Sequence, residues 1–163
     1  MKKCVMCGGE KFERHVGSFK DKMLGLPGLT LLGVQIQTCK TCGEEYVSIP
    51  RVEQLHKLVV SRIVGKRGRL TGPEIRYLRK YIGWSGTDFA RHFGVQPETV
   101  SRWENDKDLM GPVADRLLRV AVTWKKPIAS YQIENLLDTI QNDRAEPLRI
   151  RVKQKGNDWT TAA

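Results

Sequence analysis

Residues 85–105 read SGTDFARHFGVQPETVSRWEN, from Ser85 to Asn105, and this stretch decides the C-terminal fold. Ser85 with Asp88 three residues on forms a capping box that starts a helix. Phe89, Ala90 and Phe93 make its inner face, and Gly94 ends it where the chain needs a residue free to take positive φ. Pro97 opens a second short helix. Val95, Val100 and Trp103 lock that helix onto the first, and Ala90 is small enough for close crossing. Gln96, Pro97, Glu98, Thr99, Ser101 and Arg102 are then left facing outward. Two short helices across a tight turn, with one face free, suit the DNA major groove, about 12 Å wide. Arg102 has the fork that matches guanine O6 and N7, Glu98 can accept from cytosine N4, and Pro97 can touch a thymine methyl. Thr99 and Ser101 complete the expected base-reading set. Ser85, Thr87, Gln96, Asn105 and Lys107 are the expected phosphate-backbone contacts. Glu98 and Arg102 are also spaced as an ordinary i,i+4 surface pair, worth a few tenths of a kcal/mol, and that reading stays open beside base readout.

Working outward, Pro73 opens a helix carrying Ile75, Leu78 and Ile82. Gly111 and Pro112 open another carrying Val113, Leu117, Val120 and Ala121. Tyr131–Ile140, with Ile133, Leu136, Leu137 and Ile140, gives a fifth. Residues 71–142 are therefore expected to form an all-α five-helix unit. Upstream, residues 50–70 read as a helix over Pro50–Val64, with Val52, Leu55, Leu58, Val59 and Ile63 on one face, followed by a flexible basic linker. Lys66, Arg67 and Arg69 in that linker suit either a minor-groove arm or a solvated spacer. Downstream, residues 143–163 read as a basic tail. Leu148–Val152 is a strand or an extended segment, Gly156–Ala163 is expected to be disordered, and nothing in the pattern explains Trp159.

Residues 1–49 read as a small β domain. Strands are expected over Phe12–Phe19 and Leu29–Thr38, with a turn at Leu26-Pro27-Gly28. Its core is thin, so it needs a clamp. A repeated CxxCG unit supplies one, as Cys4, Cys7 and Gly8, then Cys39, Cys42 and Gly43. Each glycine permits the positive φ that closes a tight turn around a metal. Four thiolates suit one Zn²⁺ in a closed, structural site. The 31 residues between Cys7 and Cys39 leave room for a hairpin. A redox pair, an iron–sulfur cluster and a disulfide framework are the competing readings of the cysteines. A catalytic zinc is disfavoured because four protein thiolates leave no open position.

The formal net charge is +10. It is uneven: residues 51–70 hold six Lys/Arg against one Asp/Glu, whereas residues 71–123 hold eight against seven. A basic balance suits a polyanion partner or simply a lysine-rich surface. The proposed DNA module is thus almost neutral, so its own charge supplies little counterion release, which the basic linker Lys66, Arg67 and Arg69 could supply. No apolar run approaches the ~20 residues of a membrane span, and no signal peptide is visible, so a cytoplasmic location without membrane partners is expected. His15, His56 and His92 fall in no metal or catalytic spacing. No nucleophile–base pair or phosphate loop is present, so an enzyme is not expected.

With both units read, the chain resembles the YgiT-type zinc finger and MqsA-type antitoxin family. The two CxxCG knuckles with the Val34–Ile36 strand look like the family's N-terminal half. The segment opening TGPEIR at Thr71 and closing MGPVADRLL at Leu118 looks like its Xre-like helix-turn-helix domain. The resemblance covers about residues 1–122 and excludes the last forty. It implies a structural zinc domain that contacts a small toxin protein, and a C-terminal domain that forms a homodimer on a palindromic operator. Glu98 and Arg102 fall on the family's two base-reading positions. Arg102 keeps the residue type there, while Glu98 stands where an uncharged polar residue is usual. The implied function is a sequence-specific repressor, the antitoxin of a type II toxin–antitoxin operon that it autoregulates. A stand-alone zinc-containing regulator is the alternative.

Overall fold

The computed structural model describes residues 3–20, 24–125 and 145–162. These build an α+β architecture: a β region carrying the four-cysteine cluster, and an all-α region of five helices. The expected helix over Tyr131–Ile140 lies outside the described residues. Strand β1 (Phe12–Lys20) pairs antiparallel with β2 (Leu29–Cys39), from Phe12 opposite Cys39 to Lys20 opposite Thr30. The register shifts once, where Gly17 faces Val34 but Ser18 faces Leu32, so Gly33 is the extra residue, with φ +71°. Side chains alternate faces along a strand, so one inserted residue reverses the parity. Leu29 and Leu31 lie on one side of the bulge, Val34 and Ile36 on the other, and all four are buried. Without Gly33 one pair would face solvent.

Strand β3 (Glu45–Ser48) pairs antiparallel with the Cys39 end of β2, and β4 (Ile150–Lys155) pairs parallel with its Leu29 end. A two-residue turn at Gly156 and Asn157 returns the chain into β5 (Asp158–Thr161). This corrects the expectation of a partly disordered tail. Ile150 and Val152 alternate with Arg151 and Lys153, and Gly-Asn between two such runs is a hairpin signal that composition alone obscures. Trp159 is buried, and its indole N–H donates to the Pro50 carbonyl at 2.8 Å. It is the tail's anchor. Gly28 shows how tightly the tail is held: a Cβ there would sit 2.3 Å from the Leu148 carbonyl oxygen.

Helix α1 (Val52–Val64) buries Leu55, Val59, Val60, Ile63 and Val64. Val52, expected on that face, is 43% exposed. Beyond it the basic linker is not flexible, a second correction. Arg119 of helix α5 (Pro112–Lys125) is fully buried and donates to the carbonyls of Val64, Lys66 and Gly68. Asp115 accepts from Arg119 at 2.7 Å and from the Leu70 backbone N–H at 2.8 Å. Residues 64–70 are thereby tied to α5 by buried, charge-assisted hydrogen bonds. Helix α2 (Gly72–Tyr81) follows at once, capped by Thr71 and Glu74. Then come α3 (Gly86–Phe93) and α4 (Pro97–Glu104). A single buried cluster runs from Leu26 and Val34 through Leu55 and Ile63 to Leu78, Phe89 and Leu118, joining sheet to helices. Among the described residues no helix is long and apolar enough to cross a membrane.

Candidate metal centre and exposed helix face

The two cysteine knuckles have the same backbone. In each, the glycine after the second cysteine donates its N–H to the first cysteine's carbonyl: Gly8 to Cys4 and Gly43 to Cys39, both at 2.9 Å. Each first cysteine donates in turn to a carbonyl five residues on, Cys4 to Gly9 at 2.8 Å and Cys39 to Glu44 at 2.9 Å. Gly8 and Gly43 have φ of +72° and +77°, the freedom the sequence pattern required. The pairing of β1 with β2 brings the knuckles together.

All four sulfurs lie within 4.8 Å of one another. Cys4 and Cys42 are 3.6 Å apart, and Cys7 and Cys39 are 3.7 Å apart. A tetrahedron with ~2.3 Å metal–sulfur bonds has edges of about 3.8 Å, so the spacing fits Zn²⁺. The electrostatics fit as well. The Tyr46 hydroxyl holds the Cys4 thiol down at about 6. The Glu44 N–H pulls Cys42 down, but the Cys7 sulfur, burial and the other two sulfurs outweigh it and push it up to about 12. Four sulfurs this close cannot all ionise unless a cation sits among them, which is what a metal supplies. Cys4 and Cys39 are buried and Cys7 and Cys42 exposed, so one side of the centre faces solvent.

Tyr46 is a residue that the sequence reading missed. Its oxygen lies 3.2 Å from Cys4 Sγ and accepts the Val5 N–H at 2.9 Å. With that lone pair occupied, the phenol proton is free to donate to the sulfur. The available signal was position: Tyr46 alternates with Val47 just after the second knuckle, and Val47 packs against the core.

The second candidate site is the outer face of α4. Helix α3 ends at Gly94 in the left-handed region, φ +63°, and α4 begins at Pro97. Phe89 and Ala90 are buried between them, with the Phe89 ring 4.3 Å from Phe93 and 6.2 Å from Trp103. The arrangement is consistent with a helix-turn-helix-like fold. A buried ion pair sets the far end of α4. Arg79 of α2 donates to both Glu104 oxygens, at 2.5 and 3.1 Å, and Arg76 reaches Glu104 and Asn105. Gly72 lets α2 approach so closely that a Cβ would sit 2.6 Å from the Glu104 carbonyl oxygen.

Gln96, Pro97, Glu98, Ser101 and Arg102 are exposed on α4, and Thr99 is half-buried. Arg102 is not paired with Glu98. Its Nε and Nη2 donate to Asp108 at 2.5 and 3.1 Å, which replaces the i,i+4 pairing. Among the backbone-contact candidates, Ser85 has its hydroxyl committed to the cap, accepting from the Asp88 N–H at 3.0 Å and donating to the carboxylate at 2.6 Å. Thr87 is exposed, its hydroxyl 2.8 Å from that of Ser85. The Asn105 amide donates to the Ser101 carbonyl, and Lys107 is exposed.

The expected DNA arm fares worse. Lys66 has a side chain only 8% exposed and pairs with Glu74 at 2.8 Å, while Arg69 is buried 3.6 Å from Asp115. Only Arg67 of the three is exposed. Cations spent on internal carboxylates cannot also neutralise phosphate. His56 Nδ1 lies within hydrogen-bond distance of Tyr77 Oη, at 2.6 Å. Comparisons with family models, with curated proteins and with solved structures give no match.

Proposed function

We propose that this chain is a sequence-specific DNA-binding regulator with one structural zinc ion, a repressor that binds duplex DNA through α3 and α4. The observation that carries the reading is the outward row of α4. Its polar, hydrogen-bonding side chains stand on a helix whose inner face and C-terminal end are both fixed, by Trp103 and by the Arg79–Glu104 pair. A fixed helix with a free polar face is what groove recognition requires. In this reading Arg102 reads guanine once it leaves Asp108, and Pro97, Glu98, Thr99 and Ser101 set the neighbouring positions. Thr87, Gln96, Asn105 and Lys107 approach phosphates. Cys4, Cys7, Cys39 and Cys42 hold the zinc, which supplies cross-linking rather than chemistry. Four thiolates leave no position for substrate, so the reading is of a binding protein and not an enzyme.

The resemblance stated from the sequence extends this to a homodimer on a palindromic operator and to antitoxin function. A second reading, a regulator without a toxin, draws support from the tail. Strands β4 and β5 fasten the cysteine-bearing sheet to α1, so that half is built into the rest of the molecule. Co-purification of the chain from its native operon separates the two. A stoichiometric small basic partner is expected for an antitoxin, and its absence leaves the stand-alone regulator.

Selection of bound sequences from random duplexes with the purified protein tests the DNA reading. A defined, two-fold symmetric site is the expected result, and no enrichment would remove it. Arg102→Ala is expected to lose about 1–3 kcal/mol at one base pair of that site. Equal affinity of the variant at fixed salt would withdraw the role.

A further inference from the structure

The tail, the sheet and the helical module meet around an unfilled cavity of about 150 Å³. Leu26, Leu148 and Ile150 give it an apolar floor, and Pro27, Pro73 and Pro147 stand round it. Two carboxylates, Glu74 and Asp106, complete the lining. Leu26, Glu74 and Ile150 are buried, whereas Pro27, Asp106 and Pro147 are exposed, so the mouth opens to solvent. Hydrogen bonds fix the walls. The Ile150 N–H donates to the Gly28 carbonyl at 2.8 Å, the Leu148 N–H to Glu74 Oε1 at 3.0 Å, and the Gly72 N–H to Asp106 Oδ1 at 2.5 Å. The prolines add fixed φ. A cavity framed in this way persists, because its lining can relax only in part.

The two carboxylates differ in what they have left to give. Glu74 is fully used: besides the Leu148 N–H on Oε1, its Oε2 accepts from the Thr71 N–H and from Lys66 Nζ, both at 2.8 Å. Asp106 takes only the Gly72 N–H. Among the described residues no Lys or Arg pairs with it, and nothing donates to its second oxygen. An apolar cavity of this size accepts a benzene ring. A carboxylate without a counter-ion at the mouth selects a cation to go with it.

We propose that this cavity binds a small primary amine carrying one apolar ring, the ring lying among Leu26, Leu148 and Ile150 and the ammonium on Asp106. One ring is the limit, because the volume is well below the ~300–1,000 Å³ of ordinary ligand pockets. Anionic ligands are refused: both ionisable groups of the lining are acids, and the neighbouring cation, Lys66, is committed to Glu74. The cavity shares no residue with the metal centre or with the outer row of α4. Its occupancy is therefore measured on the protein alone and does not depend on DNA binding.

Benzylamine, an ammonium on a single ring, is the probe. Titrated into the full-length zinc-loaded protein, it should shift the backbone amides of Gly28, Gly72, Glu74 and Ile150 saturably. A dissociation constant of about 1 mM or below is expected, the range open to a ligand of about eight heavy atoms. Benzyl alcohol, with the ring and no charge, should bind about 3- to 10-fold more weakly. Benzoate and methylammonium should give no saturable shift. Asp106→Asn keeps an oxygen for the Gly72 N–H, and Asn tolerates the positive φ of 53° at this position. It should bring benzylamine down to the affinity of benzyl alcohol and leave benzyl alcohol unchanged. Leu148→Phe fills the cavity with a ring of its own and should abolish binding of both; if that variant does not fold, Asp106→Asn still decides. Benzylamine shifts that are absent from these amides, or that never saturate, would overturn the proposal. So would benzoate binding as tightly as benzylamine, or an Asp106→Asn variant with undiminished benzylamine affinity.

Discussion

Arg102 and Asp108 make the narrowest of the functional arguments. The bidentate pair holds the guanidinium sideways, and both partners are substantially exposed, 59% and 42%. An exposed pair contributes little to stability, so releasing it costs little. It nevertheless competes with DNA for the same donors and places a negative charge beside the groove. Asp108→Asn is therefore expected to tighten operator binding several-fold with no loss of thermal stability; titration at fixed salt against wild type checks it, and weaker binding would mean that Asp108 positions Arg102 rather than detaining it. Tyr46 offers a parallel case. Outer-shell hydrogen bonds typically change metal affinity by 10- to 100-fold, and Tyr46→Phe should weaken zinc binding by about that much in a chelator competition. An unchanged affinity would reduce Tyr46 to its edge-on packing against Phe12, at 6.0 Å.

The elements differ in how openly the sequence announced them. The α3–Gly94–α4 unit was legible almost to the residue, because its cap, its αL glycine and its N1 proline are local devices. The cysteine knuckles were legible for the same reason. The tail was not. Strand β4 is stabilised by pairing with β2, more than a hundred residues earlier, and no local signal reports a partner so distant. Gly33 interrupts the apolar run Leu29–Val34 in the sequence, yet it carries the bulge that keeps Leu29, Leu31, Val34 and Ile36 on one face. The basic linker misled for a different reason. A Lys/Arg cluster reads as solvated until its buried acids, Glu74 and Asp115, are placed beside it by the fold. If the tail is an integral strand pair, Trp159→Ala should lower unfolding free energy by about 3–5 kcal/mol, as for other buried aromatics. A shift in denaturant midpoint at constant slope would show it, and a shift of less than about 1 kcal/mol would mean that the hairpin docks only loosely.

At the scale of the molecule, the β sheet is clamped at both ends by unlike means. Cysteine knuckles bind the Cys39 end of β2, and β4 with Trp159 binds the Leu29 end. A core as thin as residues 1–49 alone could build would let the whole N-terminal unit unfold when metal is removed. The continuous buried cluster changes that expectation. Chelation should erase NMR dispersion for residues 3–12 and 39–48 while leaving β4, β5 and the helices native. Loss across the entire chain would show that the tail does not brace the sheet independently. Full retention everywhere would remove the structural role assigned to the metal.

The parallel pairing of β2 with β4 has a consequence during synthesis. Residues 29–32 leave the ribosome long before their neighbours at 150–153. At ~5–20 residues per second the gap is roughly 6–24 s. Throughout that interval the nascent chain presents Leu29 and Leu31 on an unpaired backbone edge, a template for any other extended polypeptide nearby. The hairpin of β1 and β2, closed by its cysteines, must wait in that state, and a ribosome that stops short of residue 150 releases a protein that holds α1 to α5 and whose sheet is still open to strangers.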